Sequence, residues 1–410
     1  MLPTLVASTD ALACPWPSNS VTVEACPALR TDRWHLHFDK EHMYAPAPAA
    51  SVTFFGALLA EIYLAIFFCS SPVRPNRPKL RPDYVLIKVE AVALNPADWY
   101  TLYDFATAGG TLGNDLAGTV VEVGSGVTKA VEKGDRVAAF VRGSNPLHLD
   151  DGAFGEYAVA KGDLVIKLPD SMSLEQGATL GVAVATIALG LYDKLGIAWP
   201  DHPTKDPEWV FVNAGSTAMG TFAIQLAKLS GHRVVTTSSP RNTKLVQSYG
   251  ADAVFDYNGP TCATDVQKLT NNKLYYVFDI QADSQSAQIC VDALSSETTA
   301  KKAIYSSLSP VPQELSRDDV ESWATFAYTS IGEGFISDKL TLEPSLDDFE
   351  LAKKFVKVVD QLFLQDKIKA HPIEVREGGL DALLQGVDDL KMKKVSGKKL
   401  VIQIGHRGSN

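Results

Sequence analysis

The stretch 209–220, WVFVNAGSTAMG, decides the fold. Trp209–Asn213 reads as a short apolar strand. Gly215 and Gly220 then punctuate a turn. From Thr217 the apolar spacing becomes helical and runs to Leu229, before Gly231. Glycines at a strand-to-helix turn let the backbone approach a pyrophosphate. The helix N-terminus behind them offers free N–H groups and the positive end of its dipole. The strict GxGxxG spacing is absent, so the reading rests on the setting of the turn.

That setting is regular. Strands are expected at Val234–Ser238, Ala253–Tyr257, Tyr276–Ile280 and Ala303–Leu308. Helices are expected at Asn242–Tyr249, Thr264–Leu269 and Ser284–Leu294. Strands alternating with helices at this spacing make βαβ units and a parallel sheet. Residues 208–308 therefore read as a dinucleotide-binding α/β region. The second strand ends in TSSPRN, Thr237–Asn242, with no acid to bond a ribose 2′-hydroxyl. Two hydroxyls, Arg241 and nearby Lys244 suit a 2′-phosphate instead, so NADPH is expected over NADH. Read otherwise, Arg241 and Lys244 are a solvated helix start, where cations oppose the dipole.

Upstream the pattern is β-rich and Gly-punctuated. Tyr84–Ala93, Leu116–Val123, Asp135–Phe140, Gly155–Ala160 and Leu164–Lys167 read as strands of a small barrel-like domain. Leu174–Leu195 turns helical, Ser345–Gln365 is a further helix and Lys399–Ile404 a closing strand. Composition agrees with a folded two-domain chain of 410 residues: 46% of residues are hydrophobic and 21% charged. A net charge of −10 argues against a nucleic-acid partner. The five cysteines, Cys14, Cys26, Cys69, Cys262 and Cys290, are widely spaced and odd in number. That is neither a zinc cluster nor a disulfide framework, and it suits a reducing, cytoplasmic setting.

Residues 1–50 are rich in Pro, Ala, Ser and Thr, without a period. The apolar run Val52–Cys69 is broken only by Glu61. It lies near the lower limit of about 17–25 residues for a membrane-spanning helix. Arg74, Arg77, Lys79 and Arg81 follow, which would keep an inserted chain's remainder cytoplasmic. A buried helix or an error in the gene's 5′ assignment explains the same run, so 1–78 is left as an extension of open character.

The blocks between Lys79 and Ile404 carry a resemblance. They are LNPADW at 94–99, GNDLAGTVVEVGSGV at 113–127, GDRV at 134–137 and GAFGEYAV at 152–159. In this order they resemble the medium-chain dehydrogenase/reductase superfamily. The resemblance implies a GroES-like β-rich catalytic domain, 79–188 with 336–405, and a Rossmann doubly wound parallel sheet, 189–335. Zinc alcohol dehydrogenases of the superfamily need a Cys, a His-Glu pair and a second Cys or acid. Residues 113–118 hold no His, and no Cys lies between Cys69 and Cys262, so no metal is expected. Within the superfamily, LRPDYVLIKVEAVALNPADW, TSSPRN, VFDY at 254–257, IGEG at 331–334 and VSGKKLV at 395–401 are similar to the fungal trans-acting enoyl reductases.

The second resemblance implies an NADPH-dependent reduction of an α,β-unsaturated acyl thioester held on a polyketide synthase or PKS-NRPS, by a monomer or homodimer. It implies cofactor contacts at Ala97, Asp98, Trp99 and Tyr100, at Ser216, Thr217, Ala218 and Met219, and at Ser239, Pro240, Arg241 and Asn242. Tyr257, Leu308, Ser309, Val395 and Ser396 complete that set. Thr186 matches an active-site threonine. It and the following Ile187, Ala188, Leu189, Gly190, Leu191 and Tyr192 would border the acyl chain. Ala327, Tyr328, Thr329, Ser330 and Ile331 would line the substrate pocket. Tyr100 stands where many members of that group carry Lys, and is similar there to quinone reductases. Thr186 and Tyr100 are the expected catalytic pair, as donor to the enolate oxygen and as proton source. Two other readings stay open: a zinc-free quinone or 2-alkenal reductase acting on free small molecules, and a homologue that binds NADPH without turnover.

Overall fold

The computed structural model describes residues 77–299, 301–310, 312, 317–337 and 341–404. Before them it describes the backbone of one antiparallel hairpin, β1 (Ser20–Val23) with β2 (Trp34–His37). The apolar run Val52–Cys69 and Cys14, Cys26 and Cys69 lie outside the described residues. From Arg77 the chain forms one compact unit whose described residues contain two large sheets and a short two-stranded one.

The first sheet gathers β3 (Tyr84–Ala93), β4 (Asp115–Val123), β5 (Arg136–Phe140), β6 (Tyr157–Lys161) and β7 (Ile166–Lys167). It is completed from the far end of the chain by β16 (Ile373–Arg376) and β17 (Lys399–Gln403). The order is β16-β17-β3-β4-β5-β7, with β6 paired to β3. All pairs are antiparallel except β16 with β17. Register shifts between Leu86 and Ile87 and between Val89 and Ala91 kink β3 against β4, and such bulges curl a sheet.

The second sheet is parallel throughout. Its strands are β8 (Trp209–Asn213), β9 (Arg233–Thr237), β10 (Ala253–Phe255), β11 (Leu274–Asp279), β12 (Ala303–Ser307) and β13 (Val320–Ala324). The order β10-β9-β8-β11-β12-β13 is two mononucleotide-binding halves joined at β8 and β11. Val210, Phe211 and Val212 are fully buried, as expected for a strand covered on both faces. One face packs on α4 (Ala218–Leu229) and α8 (Leu346–Leu364), the other on α6 (Cys262–Leu269) and α7 (Ser284–Ala293). α8 begins where Ser345 accepts a hydrogen bond from the Asp348 N–H, with Asp347 and Asp348 in its first turn. β14 (Phe335–Ile336) and β15 (Thr341–Leu342) form a short hairpin after the sheet.

The helical run expected at 174–195 is a short α2 (Leu174–Gly177), then α3 (Gly181–Ile187), which continues as π-helix over Ala188–Lys194. It is long and apolar enough to cross a membrane, but 83% of it is buried inside the fold. The expected boundary at 188/189 falls inside it. The first half touches β4 and β5, while the π-helical half touches β12, so one helix joins the two halves of the unit.

Candidate active site

The turn after β8 is tightly built. Ala214 sits at φ 60, a left-handed conformation that a non-glycine residue adopts only under constraint. Its N–H donates to Thr237 Oγ1 at 3.0 Å, and Thr237 in turn donates to Asn213. Asn213 Nδ2 donates to Asp279 Oδ1 at 2.8 Å across the β8–β11 junction. A Cβ on Gly215 would lie 2.0 Å from Thr236 Oγ1, and one on Gly220 would lie 2.5 Å from the Ala214 carbonyl oxygen. Only glycine fits at both places. Thr217 caps α4 by accepting from the Gly220 N–H at 3.0 Å. The Thr217 N–H donates to the Ala214 carbonyl at 3.1 Å, which leaves the first-turn N–H groups of Ala218 and Met219 at the start of α4 as the donors an anion requires.

The second strand delivers a basic, acid-free rim. Ser238 is buried after β9, Ser239 half-buried, and Arg241 and Lys244 are exposed. Among the described residues neither cation has an ion-pair partner. Asn242 Nδ2 donates to Ser239 Oγ at 3.3 Å and to Ser396 Oγ at 3.0 Å. This brings Val395 and Ser396, from the other end of the chain, beside 239–242. Tyr257 is exposed after β10. Leu308 and Ser309 follow β12, with the Leu308 N–H on the Asp279 carbonyl at 3.3 Å and Ser309 Oγ on the Ala282 carbonyl at 3.3 Å. These groups all lie past the carboxyl ends of the strands, where open α/β sheets hold ligands.

An apolar cluster faces the turn. Phe140, Val182, Ala185 and Ile331 are buried together, and Met219, Ala327, Tyr328 and Leu164 pack on them. The sheet-closing segment 327–331, a 3₁₀ turn, thus meets the cofactor turn and the front of α3. Tyr328 is near Thr101, and burial holds its phenol above the ordinary tyrosine range. Thr101 directly follows α1 (Pro96–Tyr100), in which Trp99 stacks on Tyr100 at 3.8 Å. Tyr100 is half-exposed. Thr186 is buried, and its hydroxyl donates to the Val182 carbonyl at 2.7 Å. Thr329 and Ser330 likewise bond back within their own turn, to Phe326 and Ala327.

Ile187, Ala188, Leu191 and Tyr192 pack in the main core, and Ala188 also lines a small cavity with Phe140, Ala185 and Ser330. Tyr192 packs on Phe355 at 4.8 Å and pairs its hydroxyl with Ser230 at 3.2 Å. Leu189 is buried as well, and Gly190 lies against Phe278. Within this stretch Leu189, Leu191 and Tyr192 are buried in the fold, while Val182, Ala185 and Ala188 face the region around Phe140.

Beneath the cluster lies a buried polar network that the sequence did not announce. Lys399 Nζ is 2.5 Å from Asp115 Oδ2 and 2.9 Å from Asn95 Oδ1. Asp115 Oδ1 accepts from the Val182 N–H at 2.6 Å, capping α3 from outside the helix. Asp98, counted among the cofactor contacts, points inward. It accepts from the Asn95 N–H at 2.6 Å and Asn114 Nδ2 at 2.7 Å, and burial pushes its carboxyl up to about 7. Phe140, Val182 and Ala185 carry no local motif, and Asp115 and Lys399 lie inside quoted blocks that give no sign of their pairing. Their partners lie far off in sequence, so spacing could not reveal them.

Comparison with known proteins agrees with this geometry. Residues 81–170 match the alcohol dehydrogenase GroES-like domain, and 218–301 the zinc-binding dehydrogenase model. Trans-enoyl reductase ACTTS2 of Alternaria alternata is 42% identical over 328 residues, 80% of this chain and 93% of its own. Trans-enoyl reductase TOXD of Cochliobolus carbonum is 44% identical over 65% of this chain and 88% of its own. Among solved structures, the CurK enoyl reductase has a TM-score of 0.63 at 19% identity, over 82% of this chain and 94% of that one. A mycobacterial protein solved in complex with NADPH has a TM-score of 0.59 at 22% identity, over 81% and 94%. The fold is that of the medium-chain dehydrogenase/reductase class of oxidoreductases. Within that class, the chain belongs to the trans-enoyl reductase family.

Proposed function

We propose that the protein is an NADPH-dependent trans-acting enoyl reductase that reduces an α,β-unsaturated acyl thioester carried by a polyketide synthase or PKS-NRPS. The observation that carries the reading is the cleft cluster, which sets Met219 of the pyrophosphate turn against α3 and segment 327–331. NADPH fits the residues present. The Ser216–Met219 frame suits a pyrophosphate. Ser239, Arg241 and Lys244, without an acid, suit a 2′-phosphate. When bound, NADPH supplies the hydride that adds to the β-carbon of the enoyl group.

The chain's own groups do the rest. The apolar cluster excludes water and seats the acyl chain, which strengthens any hydrogen bond to the enolate oxygen. Thr186 is the side-chain donor toward that oxygen once its hydroxyl turns from the Val182 carbonyl. Tyr100, or water, returns a proton to the α-carbon. The reaction reads as zinc-independent. Among the described residues no group of three or more His, Cys, Asp or Glu is placed to hold a metal. Where zinc enzymes of the superfamily carry a His-Glu pair, Asn114 and Asp115 are engaged by Asp98 and by the Lys399 ammonium.

A free quinone or 2-alkenal is the second acceptor class, favoured by Tyr100. Following NADPH and NADH oxidation with an enoyl thioester, on pantetheine and on a carrier protein, against a benzoquinone separates the two. Faster turnover of the thioester is expected. Turnover of the quinone alone would overturn the assignment.

A further inference from the structure

We propose that Arg142 and Glu333 form a clasp that fixes the substrate wall of the cleft, which makes Arg142 a specificity-determining residue for the acyl chain. The inference rests on the proposed reaction. Arg142 follows β5 and is only 3% exposed. A buried guanidinium is costly unless its donors are used and its charge is balanced. The nearby carboxylate of Asp151 is already held by both terminal nitrogens of Arg81, at 2.8 and 3.1 Å. Arg142 instead donates to two backbone carbonyls of the next half of the molecule, Gly334 at 2.8 Å and Ile336 at 3.2 Å. Its Nε is buried and, among the described residues, has no hydrogen-bond partner. Its guanidinium lies 4.4 Å over the Phe335 ring.

The same segment is gripped from a second side. Glu333 accepts from the Tyr84 hydroxyl at 2.6 Å and pairs with Lys161 at 2.9 Å. Residues 333–336 are thus held by three side chains of the first sheet's domain. What they hold is the wall of the cleft. Phe335 lies 4.3 Å from Tyr328, ring to ring, and Tyr328 lies 6.0 Å from Phe140. Gly332, at φ 75, turns the chain sharply between Ile331 and Glu333, with Phe349 too close to admit a Cβ easily. A shift of the clasped carbonyls therefore moves Phe335, then Tyr328 and Ile331, and so the width of the cleft.

Two carbonyls acting as the acceptors fix main-chain position and do not depend on any side chain of the partner segment. The planar guanidinium spans both, and a Lys ammonium is a single point charge that does not reproduce that fork.

The test uses the full chain with Arg142→Gln, Arg142→Lys and Glu333→Gln. Amide hydrogen exchange over 327–336 is read together with kcat and KM for a short linear and a bulky α-branched enoyl thioester. NADPH affinity serves as the control. Exchange over 327–336 is expected to rise about ten-fold in each variant. The ratio of kcat/KM for bulky over short substrate is expected to rise about five-fold or more, carried by KM, as the wall retreats. NADPH affinity should hold. Unchanged exchange would overturn the clasp, and faster exchange with an unchanged ratio would overturn its role in specificity. If wild-type protein reduces no enoyl thioester, the proposed reaction fails. The exchange arm, and a small-against-bulky comparison in whichever acceptor class consumes NADPH, then still decide the clasp. Should Arg142→Gln lose its cooperative melt, Glu333→Gln carries the same readouts from the more exposed side.

Discussion

The Lys399 ammonium on β17 meets the Asp115 carboxylate on β4 at 2.5 Å, across 284 residues of chain, with both side chains buried. Asp115 uses its other oxygen on the Val182 N–H, so the ion pair also anchors the helix that bears Thr186. Removing one partner of a buried pair leaves an uncompensated charge, which costs about 3–5 kcal/mol. Lys399→Met is therefore expected to lower stability by about that amount in urea unfolding. The double variant Lys399→Met with Asp115→Leu should recover part of the loss, since a neutral pair leaves no stranded charge. A single variant within about 1 kcal/mol of wild type would show that the pair does not hold the helix.

That pair also marks where sequence reasoning stops. The parallel sheet was legible, because Trp209–Asn213, Arg233–Thr237 and Leu274–Asp279 are apolar runs separated by amphipathic helices. β13 was not: Val320–Ala324 reads VESWA, an edge strand with half its side chains facing solvent. β16 and the helix α9 (Gly379–Lys391) were missed as well, the strand for its length and charge, whereas the helix does carry a helical period in Leu383, Leu384, Val387 and Leu390. In the site, the pyrophosphate turn and the rim at 239–242 are local and could be read directly. The link from Asn242 to Ser396 spans 154 residues and came only from resemblance. The π-helix over Ala188–Lys194 came from neither, since a π-helical turn leaves no mark on apolar spacing.

Arg241 tests the cofactor reading. Its side chain is exposed and unpaired among the described residues, so its removal disturbs no internal contact. A charge-assisted hydrogen bond to a 2′-phosphate contributes about 1.5–3 kcal/mol. Arg241→Ala should therefore raise the NADPH dissociation constant by about ten-fold or more while leaving NADH nearly unchanged. Fluorescence titration of both nucleotides measures this. The preference for NADPH should also weaken as salt is raised, because the rim is solvent-exposed. Equal weakening toward both nucleotides would place Arg241 elsewhere than on the 2′-phosphate.

Thr186 tests the mechanism. Its hydroxyl proton rests on the Val182 carbonyl, so catalysis through it requires a change of rotamer. Removing one oxyanion donor lowers kcat by about 10²–10³-fold where the donor is preorganised. A donor that must first turn contributes less. Thr186→Val, which keeps the shape, is expected to lower kcat by about ten-fold with KM little changed, and Thr186→Ser to keep most of the rate. Turnover in Thr186→Val equal to wild type would remove the hydroxyl from the mechanism and leave backbone donors in its place.

Asp98 sets the sign of a pH effect on stability. Burial pushes its carboxyl up to about 7, against an ordinary value near 3.8, despite the hydrogen bonds from Asn95 and Asn114. The folded state thus holds a proton on Asp98 that the unfolded chain releases. Its contribution is fully present below the unfolded value and is lost as pH rises through about 7. His371 works the other way. Burial lowers it to about 3, so its contribution is lost as pH falls below the usual histidine range. The two slopes oppose each other in wild-type protein, and a difference measurement separates them. Asp98→Asn should abolish its share, so that the variant's stability relative to wild type improves steadily from acid to neutral pH and levels off above the folded value. Urea midpoints at a series of pH values read this directly. A constant difference between the two proteins across that window would mean that Asp98 is ionised in the fold, held by its N–H donors and by Lys399 beyond Asp115.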